Sequence, residues 1–160
     1  AADVVSGPDA ESSPNIAWLG GAFNETAALS QAVAVPPRYD GLQLLFYYQV
    51  ISGDACGKDL AWVQLTDADN PTTTFRAWTK DLCRSTQTSD WVRVGIEVPI
   101  AYQNRRVNIS FHGTFDGNGN SNVFFDTISF CSAEPDTLCA SSTLTNKEVP
   151  SQESAGNVSR

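Results

Sequence analysis

The feature that most constrains this chain is a two-residue alternation of apolar and polar side chains. Over residues 105–113, Val107, Ile109 and Phe111 alternate with Arg106, Asn108, Ser110 and His112. Successive side chains of a strand point to opposite faces, so the apolar set belongs to a core and the polar set to solvent. The same period recurs along the chain, and helical spacing is nearly absent. Residues 27–35 carry Leu29, Val33 and Val35 in step and stop at Pro36-Pro37, because proline cannot donate to a ladder. Residues 42–51 are apolar at both parities and read as a central strand covered on both faces. Residues 60–66 set Trp62 opposite Val63 and Leu65, and residues 72–79 are rich in Thr and aromatics, as strands are. Residues 91–98 place Val92, Val94, Ile96 and Val98 on one face. Residues 123–130 place Phe124, Asp126, Ile128 and Phe130 on one face, a core face that contains a carboxylate. Turn signals separate the runs at Asp40-Gly41, Ser52-Gly53, Asn70-Pro71 and Gly117-Asn118-Gly119.

Short strands at this spacing predict an all-β fold, a jelly-roll β-sandwich of about eight antiparallel strands with extended N- and C-terminal tails. The sandwich is placed at 16–131, after an N-terminal extension at 1–15 and before a cysteine-bracketed loop and polar tail at 132–160. The 160 residues suit one domain with one core. The net charge of −8 argues against nucleic acid and anionic membranes, which need a basic footprint, and leaves divalent cations and neutral ligands. No apolar run is long enough to span a bilayer.

Four cysteines allow three pairings. No CxxC pair occurs, and one histidine is too few for a Cys/His zinc site. Cys131 and Cys139 bracket a short Pro-containing loop; Cys56 follows one turn and Cys83 precedes another. The expected bridges are Cys56–Cys83 and Cys131–Cys139, in an oxidising compartment. Ala1-Ala2-Asp3 reads as an end left by signal cleavage, which places the protein outside the cell or on its surface.

Trp18-Leu19-Gly20-Gly21-Ala22-Phe23-Asn24-Glu25-Thr26, Asp54-Ala55-Cys56-Gly57-Lys58-Asp59, Leu82-Cys83, Trp91 and Asn120-Ser121-Asn122-Val123-Phe124-Phe125-Asp126 together resemble a secreted bacterial jelly-roll module. That module is similar to MAM and carbohydrate-binding sandwiches, and occurs in surface proteins and beside extracellular peptidases of Chloroflexi-type bacteria. The resemblance runs in order from Ile16 to Phe130. It implies the Cys56–Cys83 bridge and a structural Ca²⁺ where the first and last strands lie side by side, with Glu25 and Asp126 as the ligand pair. The family often has two acids after the paired aromatics, whereas Thr127 follows Asp126 here.

A Ca²⁺ ion takes six to eight oxygens. The candidate ligands are Asn24, Glu25 and Asp126, with Asp54 and Asp59 as alternatives or additions. A glycan needs an exposed aromatic face among amides and carboxylates. Trp78 is the first candidate by strand parity, with Trp62, Tyr47 and Tyr102 behind it. Catalysis has little to work with: His112 is the single histidine, and no GxSxG, HExxH or phosphate loop occurs, so no enzymatic activity is expected. Sequons occur at Asn24, Asn108 and Asn157, and Asn108 is the outward-facing acceptor. Residues 3–5 and 143–149 can each supply an added strand to a neighbour. The expectation is a non-enzymatic extracellular subunit of a homo-oligomer or filament joined through its tails. A Ca²⁺-dependent carbohydrate-binding or adhesion module is the alternative.

Overall fold

The computed structural model describes residues 1–6, 15–37, 41–132 and 140–141. Ten strands lie within them: β1 (Ala2–Ser6), β2 (Asn15–Gly20), β3 (Glu25–Ala34), β4 (Leu42–Ser52), β5 (Asp59–Asp67), β6 (Thr74–Leu82), β7 (Val92–Glu97), β8 (Arg106–Phe115), β9 (Ser121–Ser132) and β10 (Ala140–Ser141). A 3-10 turn at Ile100–Tyr102 joins β7 to β8. The strands form two antiparallel sheets stacked as a sandwich, as the alternation predicts. One sheet runs β1-β2-β9-β4-β7, with β10 also on β9, and the other runs β3-β8-β5-β6.

On β8 the inward set is the expected one: Val107, Ile109 and Phe111 are buried beside Ala61, Val63 and Leu65 of β5. Leu44, Phe46, Tyr48 and Val50 of β4 and Val123 and Phe125 of β9 supply the facing layer. The middle is aromatic. Phe111 and Phe125 rings lie 4.8 Å apart, and Phe46 meets Phe125 edge-on at 6.0 Å. Burying each such side chain contributes about 1.5–3 kcal/mol, which makes this layer the main source of stability.

Three expectations change. β4 is central within its sheet, but its outer face is covered only in part. Its inward residues are buried, whereas on the outer face Leu45 is buried, Tyr47 and Gln49 are half-buried and Ile51 is 49% exposed. A two-layer sandwich leaves each sheet one solvent side, whatever the strand's place in the hydrogen-bond order. The face assignment on β9 also shifts. Leu45 pairs with Ser129 but Tyr47 pairs with Asp126, so β9 carries one extra residue there, and Thr127 has φ 49°. Such a bulge reverses the side-chain parity beyond it. Val123 and Phe125 therefore join Ile128 and Phe130 in the core, while Phe124 turns outward. Lastly, residues 3–5 do form a strand, but β1 pairs with β2 of its own chain.

The Cys56–Cys83 disulfide joins the residues just before β5 and just after β6, with Cα atoms 4.8 Å apart, and so closes the open end of that hairpin. Cys131 is disulfide-bonded as well. Its expected partner Cys139, the possible strand at 143–149 and the sequon at Asn157 lie outside the described residues.

Candidate functional site

Residues directly opposed across a ladder share a face. On the four-stranded sheet the register therefore reads outward rows from β3 to β6. One row is Ala28, His112, Trp62 and Thr79; the next is Ser30, Ser110, Gln64 and Arg76; the third is Ala32, Asn108, Thr66 and Thr74. Apart from Arg76 and His112, Trp62 thus stands in a field of small or uncharged polar side chains. The His112 ring stacks on it, 4.8 Å between centroids and 3° from parallel. The Arg76 guanidinium lies 4.5 Å from the Trp62 ring centroid. β8 and β6 flank β5, so the two partners reach Trp62 from opposite sides.

His112 is tied down further. Its Nε2 lies 2.8 Å from Ser110 Oγ, and Ser110 Oγ donates to the Gln64 carbonyl at 3.3 Å. A hydroxyl carries one proton, so Ser110 accepts from the Nε2–H of His112. That tautomer cannot deprotonate Ser110, and the pair lacks the polarity of a nucleophile and its base. Burial, and then the Arg76 charge, lower the His112 pKa from its ordinary 6.5. The unfolded chain therefore takes up this proton first as the pH falls. The contribution of His112 to stability is complete above pH 6.5 and declines through the window below it, down to the lowered folded-state pKa. Urea denaturation at pH 7 and pH 5 checks this: the wild type should lose more stability toward pH 5 than His112→Gln, which keeps a donor for Ser110 without the titration.

The aromatic candidates separate clearly. Trp78 faces the core, its ring 4.8 Å from Tyr48, 5.6 Å from Phe46 and 5.8 Å from Phe125. The cause is a second bulge. Val63 pairs with Trp78 but Gln64 pairs with Arg76, leaving Ala77 as the extra residue on β6. Parity counted from Phe75 places Trp78 outside, and the extra residue returns it inside. Tyr102 is buried, its ring 6.0 Å from Phe75. Tyr47 is half-buried on the outer side of the other sheet, opposite Arg93 and Asp126. Asn108 is exposed on the Trp62 face.

The expected metal ligands fall in three places. β2 does pair with β9, so an early and a late strand lie side by side. Glu25, however, comes after the Gly20-Gly21 turn, where both glycines have positive φ, and begins β3 in the opposite sheet. Gly20 has no alternative: a Cβ there would meet the Ser121 carbonyl oxygen at 2.2 Å. The Glu25 carboxylate is engaged by the amino group of Ala1. Asp126 is buried, and its Oδ1 accepts the Thr127 N–H at 2.6 Å. Asn24 lies beside Gly117, and its N–H donates to the Asp116 carbonyl at 2.9 Å. The acids that converge are Asp54, Asp59 and Asp116, the last of them not anticipated from the sequence. Cys56 and Cys83 also lie near Asp81, but as a disulfide they offer no thiolate.

No family model matches the chain. No curated protein matches it either. Among solved structures it is similar to TmCBM61 in complex with β-1,4-galactotriose, at 16% identity over 79% of this chain and 80% of that one, with a TM-score of 0.51. It is also similar to a structure solved for the promiscuous specificity of carbohydrate-binding modules from the β-sandwich superfamily. There the identity is 16% over 81% of this chain and 53% of that one, with a TM-score of 0.55. At these identities the likeness is one of fold. It carries the sandwich part of the resemblance and not the placement among MAM-like surface modules.

Proposed function

We propose that this chain is a non-catalytic, extracellular carbohydrate-binding sandwich whose ligand face is the outer surface of the four-stranded sheet around Trp62. The observation that carries the proposal is the company Trp62 keeps. It is a large aromatic on a solvent-facing sheet whose neighbours are Ser30, Ser110, Gln64, Asn108, Thr66, Thr74 and Thr79. A pyranose presents an apolar ring face edged by hydroxyls, and such a surface offers it a stacking partner edged by donors and acceptors.

Arg76 covers one face of Trp62 in the unliganded chain. An exposed cation–π contact is worth about 0.5–1 kcal/mol, so a sugar ring displaces it at small cost. The released guanidinium then has its donors available for hydroxyl oxygens. The carbohydrate-binding modules of similar fold support the reading by analogy only, because function resides in sites rather than folds. The disulfide supports an oxidising, extracellular setting. The filament reading loses the front strand it relied on, since residues 3–5 pair within their own sheet.

Affinity electrophoresis through gels containing soluble galactan, xylan or glucan tests the proposal. Retardation in at least one neutral polysaccharide is the expected result. Unchanged mobility in all of them, together with an empty glycan array, would overturn it.

A further inference from the structure

We infer that Asp54, Asp59 and Asp116 form a Ca²⁺ site at the end of the sandwich, separate from the Trp62 face and not at Glu25 and Asp126. One carboxylate oxygen from each lies within 4.8 Å of the others. Two oxygens bound to one Ca²⁺ at about 2.3–2.6 Å are at most about 5 Å apart, so a single ion can reach all three.

The hydrogen bonding of the three acids uses one oxygen of each and leaves the other for an ion. Each accepts a backbone N–H through its Oδ1: Asp54 from Ala55, Asp59 from Asp116 and Asp116 from Asn118, each at 2.7 Å. None accepts a hydrogen bond through Oδ2 from a described residue. Asp54 is 92% buried, and its Oδ2 is enclosed without a partner. Asp59 is equally withdrawn from solvent, and Asp116 is half-buried. The ion pairs found among the described residues are Ala1–Glu25 and Arg105–Asp67, so no described lysine or arginine forms an ion pair with the cluster. Three carboxylates packed together, two of them buried, repel one another, and a cation that joins them relieves the repulsion.

The backbone is arranged to hold that geometry. Gly119, with φ 73°, lays the β8–β9 turn directly on Asp54; a Cβ there would lie 2.6 Å from Asp54 Cγ. The Asp116 N–H, bonded to Asp59, ties the same turn to the start of β5. The donors are all oxygen, with no imidazole or thiolate, which suits a hard cation. Ca²⁺ fits better than Mg²⁺, which sheds its water reluctantly and seldom occupies a cage made of protein groups. The bound ion would clamp the 52–59 segment, the first residue of β5 and the 116–119 turn to one another.

Calcium titration of the whole chain tests this, with calorimetry for binding and thermal unfolding for stability, in Asp116→Asn and Asp126→Asn alongside the wild type. The expected wild-type result is one Ca²⁺ per chain and a rise in Tm of about 5 °C or more at a hundredfold excess over Kd, reversed by chelator. Asp116→Asn should bind at least about tenfold more weakly while keeping the wild-type circular dichroism in chelator. Asp126→Asn should bind as the wild type does. No heat and no Tm shift in the wild type up to about 10 mM Ca²⁺, beyond the weakest extracellular sites, would overturn the inference. So would unchanged affinity in Asp116→Asn, which would put any ion elsewhere.

Discussion

Replacing Trp62 by alanine is expected to weaken polysaccharide retention at least about tenfold while the sandwich stays folded, and replacing Trp78 by alanine is expected to do the reverse. The two residues belong to adjacent strands and both are half-buried, but Trp62 lies on the solvent side of its sheet whereas Trp78 packs against the core. Trp62 is half-buried on the solvent side, held by the His112 stack and the Arg76 contact. Losing those contacts lowers stability by about 1–2 kcal/mol. A sugar stacked on the ring would lose its aromatic partner outright, and a tenfold weakening corresponds to only about 1.4 kcal/mol of that contact. Trp78 is half-buried with its ring among Phe46, Tyr48 and Phe125, so truncation strips that packing from the edge of the core and removes about 3 kcal/mol, the low end for a tryptophan. Affinity electrophoresis and urea denaturation on both variants separate the effects. Full retention by the Trp62 variant would remove the glycan site from this face. A Trp78 variant within about 1 kcal/mol of the wild type would contradict its place in the core.

The contrast between the two tryptophans also shows where sequence reasoning reached and where it stopped. Strand alternation on β8 places residues 106–112 on the faces that the structure shows, because that strand pairs without interruption on both sides. The same logic failed for Trp78 and for Phe124. In each case one extra residue, Ala77 on β6 and one of the Thr127-Ile128 pair on β9, reverses the faces beyond it. A period of two carries no mark of such an insertion, and the one local sign at β9 is the positive φ of Thr127, which is a property of the backbone and not of the sequence. The acidic cluster was half legible. Asp54 and Asp59 lie close in sequence around Cys56, whereas Asp116 comes from a turn more than fifty residues later. Only the β5–β8 pairing brings it alongside them. The placement of Glu25 on β3, in the sheet opposite Asp126, is hidden from the sequence for a similar reason. The Gly20-Gly21 turn changes sheet, a step that two glycines permit but do not announce.

Removing the Cys56–Cys83 bridge, through a double serine variant, is expected to destabilise the chain by about 3–4 kcal/mol. The bridge closes a loop of sequence separation 27, and the loop-closure entropy regained by the unfolded chain is of that size. Urea denaturation of the double variant should show a lower midpoint with an increased slope, because the unfolded state without the bridge exposes more surface. The effect should extend to the acidic cluster. Cys56 lies between Asp54 and Asp59 in sequence, and the Arg84 N–H beside Cys83 bonds to the Asp54 carbonyl at 2.9 Å. The bridge and a bound Ca²⁺ therefore restrain the same end of the β5–β6 hairpin, and their stabilisations should not add. With Ca²⁺ present the ion still holds Asp54 against Asp59 and Asp116, so the double variant should lose less than it does in chelator. Equal losses in both conditions would mean that the bridge and the ion act on independent parts of the fold. A loss below about 1 kcal/mol in chelator would mean that the ladder between β5 and β6 holds that end without the bridge.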